Sequence, residues 1–259
     1  MGSLTGEALD ECRPASAPMN PLVVAARTST QQLPSHLQSL VSDEELLRAS
    51  GITDVTGRTE FILGRALLRS VLSSMLDAKP RNLPIRIQKN GRPCLEGNDL
   101  EFSLSHACGY VCVAVSRNGR VGVDIEGAGA LENSELLNRY LRKTFVNDAN
   151  PCATTDYAIA GKWCMAEAYA KCSGKDVLSA MRCKALRALM NQSQTSDWFI
   201  GQEHSLCLTS IADGRVPLAL CVEAHPTPFS LMEVDLFDVS FLSTLGKAGG
   251  RNSALPARS

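Results

Sequence analysis

No stretch of this chain is apolar for long enough to cross a bilayer, which takes about 20 residues. The start shows no basic region followed by an apolar core, so a signal peptide is not expected. Gly6 breaks the pattern required for N-myristoylation. Net charge is only −1, which removes the electrostatic basis for general nucleic-acid binding. The ten cysteines form no CxxC pair and no Cys/His spacing of the kind zinc uses. Most lie in apolar runs, where cysteine acts as a small hydrophobe. A reduced, cytoplasmic setting is expected. With 259 residues and 44% hydrophobic content the chain has material for a substantial core, and wholesale disorder is excluded.

The pattern along the chain predicts a mixed α and β body between a mobile segment at 1–20 and a flexible tail at 241–259. Ser42 is a possible N-cap for a helix starting at Asp43. Phe61, Gly64, Leu68, Leu72 and Met75 recur at helical spacing and predict a helix over 59–76. Arg58, Arg65 and Arg69 form a stripe of their own there, which could meet phosphate or an acidic partner and ranks lower because arginines on an outer helix face need no function. Residues 84–88 alternate like a short strand, and Asn90-Gly91-Arg92-Pro93 signals a turn. Strands are predicted over 101–104 and 110–116. Arg117-Asn118-Gly119-Arg120 reads as a hairpin-type turn, followed by a strand over 121–126. Helices are expected over 134–145 and 155–172, the second ended by Ser173-Gly174. Residues 206–211 and 217–223, joined through Asp213-Gly214, predict a hairpin.

Charge is not spread evenly. Between Val55 and Leu95 eight Lys or Arg face two acids. That excess suits an anionic ligand or an acidic partner, although ordinary loop and helix-surface charges would give the same count. Asp124 and Glu126 lie two apart on the predicted strand, so both point to one face while Val123 and Ile125 point to the other. Side-by-side carboxylates near a core call for a cation. Trp163, Glu167 and Lys171 follow at intervals of four and form one helix stripe. A Glu–Lys pair at that spacing can be a plain helix-stabilising pair, worth about 0.2–0.5 kcal/mol. Glu167 adds a third carboxylate, and three such oxygens plus phosphate and water suit octahedral Mg²⁺. His106 ends Phe102-Ser103-Leu104-Ser105 beside Gly109; it is either structural or a phosphate contact. Arg92 is either a loop charge or a guanidinium held by its turn for phosphate.

Four segments occur in order: Gly91-Arg92-Pro93-Cys94-Leu95, Phe102-Ser103-Leu104-Ser105-His106, Gly122-Val123-Asp124-Ile125-Glu126 and the Trp163, Glu167, Lys171 helix. Together they resemble the 4′-phosphopantetheinyl transferase family, in its larger single-chain type that activates peptide and polyketide synthases. Leu218 to Pro226 resembles that family's last core strand, and the likeness covers roughly residues 58–229. Two positions depart from it. Ala166 stands where the family often has lysine, and Ser103 where it often has asparagine. Before Arg58 the family's early phosphate contacts find no match.

The resemblance implies an α+β fold of two similar halves about a pseudo-two-fold axis, an N-terminal half over 21–118 and a C-terminal half with the metal site over 119–240. It implies transfer of the phosphopantetheine arm of coenzyme A to a serine of an apo acyl or peptidyl carrier protein, releasing 3′,5′-ADP, by a monomer. Asp124, Glu126 and Glu167 would hold Mg²⁺, with Mn²⁺ as a substitute. Glu167 would be the general base and Lys171 would contact the pyrophosphate. Arg92, Ser105 and His106 would bind coenzyme A phosphates, with Arg58 ranked lower. A metal-dependent nucleotide or coenzyme A hydrolase, and a non-catalytic relative that binds coenzyme A or a carrier, are the alternatives.

Overall fold

The structure, a computed structural model, describes residues 20–28, 33–89, 91–127, 129, 135–145, 155–190, 198–223 and 228–236. The expected mobile segment, except its last residue, and the expected tail lie outside the described residues. In chain order come β1 (Leu22–Arg27), α1 (Ser35–Leu40), α2 (Asp43–Ser50), α3 (Val55–Leu76), β2 (Ile85–Ile87), β3 (Pro93–Leu95), β4 (Glu101–Ala107), β5 (Tyr110–Ser116) and β6 (Val121–Ile125). Then follow α4 (Glu135–Phe145), α5 (Asp156–Ser173), α6 (Val177–Arg182), α7 (Lys184–Met190), β7 (Trp198–Ile200), β8 (His204–Ile211), β9 (Val216–Glu223) and β10 (Ser230–Val234).

Two four-stranded sheets are stacked between helices. The first has the order β10-β1-β5-β4, with β1 parallel to β10 and antiparallel to β5. The second has the order β6-β9-β8-β7 and is antiparallel throughout. Strand alternation divides the core into three. Leu22, Val24 and Ala26 of β1, with Val111, Val113 and Val115 of β5, face Leu63, Leu67 and Val71 of α3. Val23, Ala25, Cys112 and Ala114 point the other way, against Val121, Val123, Ile125, Leu218 and Leu220 of the second sheet. The outer face of that sheet, including Leu206, Ala219 and Cys221, packs on α5. The layers therefore run helix, sheet, sheet, helix.

Local chemistry sets the helix ends. Ser42 and Glu45 form a reciprocal capping box at the start of α2. Asp54 caps α3 by accepting from the Gly57 N–H, which starts that helix four residues before the predicted Thr59. Two expectations need correction. Arg117 to Arg120 is not a hairpin turn: β5 and β6 belong to different sheets, and the chain crosses from one to the other there. The arginine stripe is not an outer face either. Arg69 is buried, with Nε donating to Glu45 Oε2 at 2.6 Å and Nη1 donating to the carbonyls of Pro80, Arg81 and Leu83. Most of its donors are thereby satisfied within the protein.

Candidate active site

Gly122 is the local reason that β6 and α5 can meet. A Cβ on it would lie 2.0 Å from the Ala168 carbonyl oxygen and 2.7 Å from the Cys172 backbone nitrogen. Only glycine permits that approach. Gly122, Asp124 and Glu126 share the strand face turned to α5, and Glu167 and Lys171 each immediately precede one of the touching helix residues. The helix itself is capped by Thr155, whose hydroxyl accepts from the Ala158 N–H, and is closed by Gly174 at φ 73°. Most of its other residues are buried, so Trp163, Glu167 and Lys171 make up a half-buried stripe. Trp163 packs only partly on the second core.

The contacts at this seam are specific. Lys171 Nζ donates to Asp124 Oδ1 at 2.7 Å and to the Val123 carbonyl at 3.1 Å. Ser105 Oγ donates to the same Asp124 oxygen at 2.7 Å and accepts from the Ile125 N–H at 3.3 Å. Ser103 Oγ accepts from the Val123 N–H at 3.1 Å. β6 is the edge of its sheet, so these N–H groups lack ladder partners, and the alternating serines of β4 supply them. The Ser-Leu-Ser run thus stitches the two sheets together beside the carboxylates. Glu126 Oε1 accepts from the Gly127 N–H at 2.9 Å.

Burial pushes the Glu126 carboxyl above the usual range. The Gly127 N–H draws it back, the Asp124 charge raises it, and Lys171 and His106 lower it. Glu167 is raised by burial first, then by Asp124 and Glu126, against Lys171. Three mutually repelling, partly desolvated carboxylates thus share one ammonium. Their hard-oxygen donor chemistry fits a divalent cation such as Mg²⁺. With Lys171 seated on Asp124, no three His, Cys, Asp or Glu side chains among the described residues converge tightly enough to hold an ion.

A cavity of about 890 Å³ opens beside this seam. Arg92, Ser105, His106, Glu167 and Lys171 line it. Asp124 is 5% exposed and stands behind that wall, bonded to two of its members. Glu126 also lies off the wall, within electrostatic reach of Glu167. Arg92 Nη2 donates to Glu101 Oε2 at 2.7 Å, and His106 Nε2 is 3.9 Å from Glu60. Arg58 is not brought to the cavity; its Nε donates to the Ile52 carbonyl at 3.0 Å. Ala166 is fully buried in the second core, so that position faces away from the cavity. Sequence reasoning missed Glu60 and Lys175 on the wall and ranked the stripe that holds Arg65 lower than the other phosphate candidates. The helical register of Phe61 and Gly64, both also on the wall, is the signal that could have found Glu60 and Arg65.

The fold and site define an α+β protein with a mixed-charge cavity walled by α3, β4 and α5. No family model matches the chain. Curated relatives do. It is 28% identical to the 4′-phosphopantetheinyl transferase HetI of Nostoc sp. over 161 residues, 58% of this chain and 68% of that protein. It is 25% identical to the 4′-phosphopantetheinyl transferase Sfp of Bacillus subtilis over 206 residues, 77% of this chain and 89% of that protein. The chain is thus similar to the 4′-phosphopantetheinyl transferases.

Proposed function

We propose that the protein transfers the 4′-phosphopantetheine group of coenzyme A to a serine of an apo acyl or peptidyl carrier protein, releasing 3′,5′-ADP. The observation that carries this reading is the seam of Glu167, Lys171 and Asp124 against a cavity that also presents Arg92 and His106. The relatives' names add the activity class. The serine oxygen forms a bond to the phosphorus that carries the pantetheine arm. The bond from that phosphorus to the bridging oxygen breaks, and the electron pair leaves with 3′,5′-ADP.

Asp124, Glu126 and Glu167 are the residues that would hold Mg²⁺, and Mn²⁺ is an acceptable substitute. Such an ion supplies charge neutralisation at a pyrophosphate. The serine proton goes to Glu167, whose raised pKa brings it nearer to the pH at which a base works well. Lys171 is a point charge for the pyrophosphate, free to exchange its contact with Asp124 for one with phosphate. Arg92 and His106 bind phosphate. Ser105 acts through Asp124, because its hydroxyl is occupied on both sides. Arg58 has no part in this reading.

Both walls of the cavity come from one chain, which supports a monomer built as two similar halves. No helix among the described residues is long and apolar enough to cross a membrane. We place the activity in the cytoplasm, supported by cysteines used as core packing. The test is incubation with coenzyme A, Mg²⁺ and a panel of apo carriers from fatty-acid, polyketide and peptide synthases, with the carriers then weighed by mass spectrometry. A phosphopantetheine mass gain on a carrier is expected. No gain on any of them would overturn the assignment, and rapid carrier-independent release of 3′,5′-ADP would point to hydrolysis instead.

A further inference from the structure

Two thiols meet beside Gly122, off the cavity wall. Cys221 of β9 stands opposite Gly122 in the ladder, and Gly122 is also where the Cys172 backbone approaches from α5. Cys221 packs with Leu206 and Ala219 in the core beneath α5. The Cys172 and Cys221 thiols hydrogen-bond to each other. His204 of β8 also hydrogen-bonds to Cys172, and its ring lies on the Tyr169 ring with centroids 5.0 Å apart. In its thiol form Cys172 Sγ donates to the Arg120 carbonyl at 3.4 Å. Both thiols are 0% exposed, yet their cover is thin. Arg120, Gly174 and Glu223 around them are exposed, and His204 is half-buried.

Core packing does not call for a histidine beside such a pair. Burial pushes the thiols of Cys112 and Cys164 up. Cys172 goes down instead: the Cys221 thiol hydrogen-bonds to its sulfur, burial opposes this, and His204 adds a hydrogen bond and positive charge. The hydrogen bond to Cys172 raises His204 in turn. Burial pushes Cys221 up, so it stays a thiol. One sulfur is thus set as a thiolate and its neighbour as the protonated partner, the arrangement from which a disulfide forms. We infer that Cys172 and Cys221 are a redox pair that a hydroperoxide closes into a disulfide. Cys172 Sγ attacks the O–O bond. An S–O bond forms, the O–O bond breaks, and the leaving oxygen takes the proton held on His204. Cys221 Sγ then attacks the sulfenic sulfur. The S–S bond forms, the S–O bond breaks, and water leaves with the Cys221 proton. The thiols are oxidised by loss of two hydrogens, and the peroxide is reduced to water and an alcohol, or to water alone if it is hydrogen peroxide. The new bond ties α5, one residue past Lys171, to the strand that pairs with β6. This pair works in the same way whatever the cavity binds.

The test treats the reduced, full-length protein with an equimolar amount of hydrogen peroxide. The remaining thiols are alkylated in denaturant, and the peptides are mapped by mass spectrometry without reduction. A Cys172–Cys221 cross-link that dithiothreitol reverses is expected. Cys108 is exposed, but burial and the charges of Glu126 and Glu60 push its thiol up, so it should be recovered alkylated. Cys221→Ser should leave a sulfenic acid on Cys172 that dimedone traps, because the resolving thiol is gone. Cys172→Ser should leave Cys221 unoxidised. If a serine variant does not fold, the wild-type map decides alone. Oxidation that falls on Cys108 or Cys183 while Cys172 and Cys221 are both recovered alkylated would overturn the pair. Recovery of every thiol alkylated would do the same, as would sulfinic acid on Cys172 with no cross-link. Dimedone on Cys221 in the Cys172→Ser variant would overturn Cys172 as the attacking sulfur.

Discussion

Replacing Gly122 by alanine adds one methyl group at the closest approach between β6 and α5. That carbon would sit 2.0 Å from the Ala168 carbonyl oxygen, whereas real contacts of this kind essentially never fall under 3.0 Å. Both obstructing groups, Ala168 O and Cys172 N, are helix backbone and cannot rotate aside. The helix has to retreat by about 1 Å, carrying Glu167 and Lys171 with it. Overpacking of this kind costs about 1–3 kcal/mol of stability, and displacing catalytic groups by about 1 Å can cost roughly 100-fold in rate. The check is carrier-mass kinetics alongside a urea unfolding curve. A folded variant with a large loss of rate is expected. Turnover within about twofold of wild type, with an unchanged unfolding midpoint, would show that the seam is slack and that the reasoning is wrong.

Other consequences are as direct. Asp124→Ala should abolish the proposed Mg²⁺-dependent transfer, because it removes a proposed metal ligand and the partner of Lys171 and Ser105; a normal rate would rule out the proposed metal site, and Lys79→Ala, an exposed position away from the cavity, is the silent control. Arg69→Met removes the cation closest to Glu45 and one donor to each of three carbonyls, and should cost about 3–5 kcal/mol in denaturant unfolding; an unchanged midpoint would contradict the buried network. Glu126 and Glu167 have raised folded-state pKa values, so the metal-free folded form binds their protons more tightly than the unfolded chain. Their contribution to metal-free stability therefore falls as pH rises through those values and recovers as pH drops toward the ordinary value of 4.5. Mg²⁺ must displace the same protons, so the rise in Tm on adding Mg²⁺ should shrink on acidification from about pH 8 to about pH 5. A rise that does not vary with pH would refute it.

The sequence shows some parts of this structure well and others poorly, for reasons that are local or distant. α5 is legible because its cap, its stripe and Gly174 all lie within a few turns of one another. The β8–β9 hairpin is legible because Asp213-Gly214 lies between two apolar runs. β1 is not: Leu22 to Ala26 are buried on both faces, so no alternation marks them as a strand. The arginine stripe misleads because Arg69 is satisfied by Glu45 and by carbonyls contributed after the helix, contacts that helical spacing cannot reveal. Ser103 and Ser105 read as phosphate-facing or incidental, whereas their hydroxyls serve an edge strand that follows a sheet-to-sheet crossing. At the site, the family resemblance pointed to Glu167, Lys171, Arg92, Ser105 and His106, all on the cavity wall, and to Arg58, which points elsewhere.

The parallel pairing of β1 with β10 joins opposite ends of the described chain. On the ribosome, β1 is the first of the described strands made and β10 the last of them. Until Val234 has emerged, the first sheet must wait with one flank of β1 open, a ready template for another chain. Any truncation ahead of Ser230 would leave that flank permanently uncovered. The last described strand therefore governs when, and whether, the first sheet is finished, although it contributes nothing to the wall of the cavity.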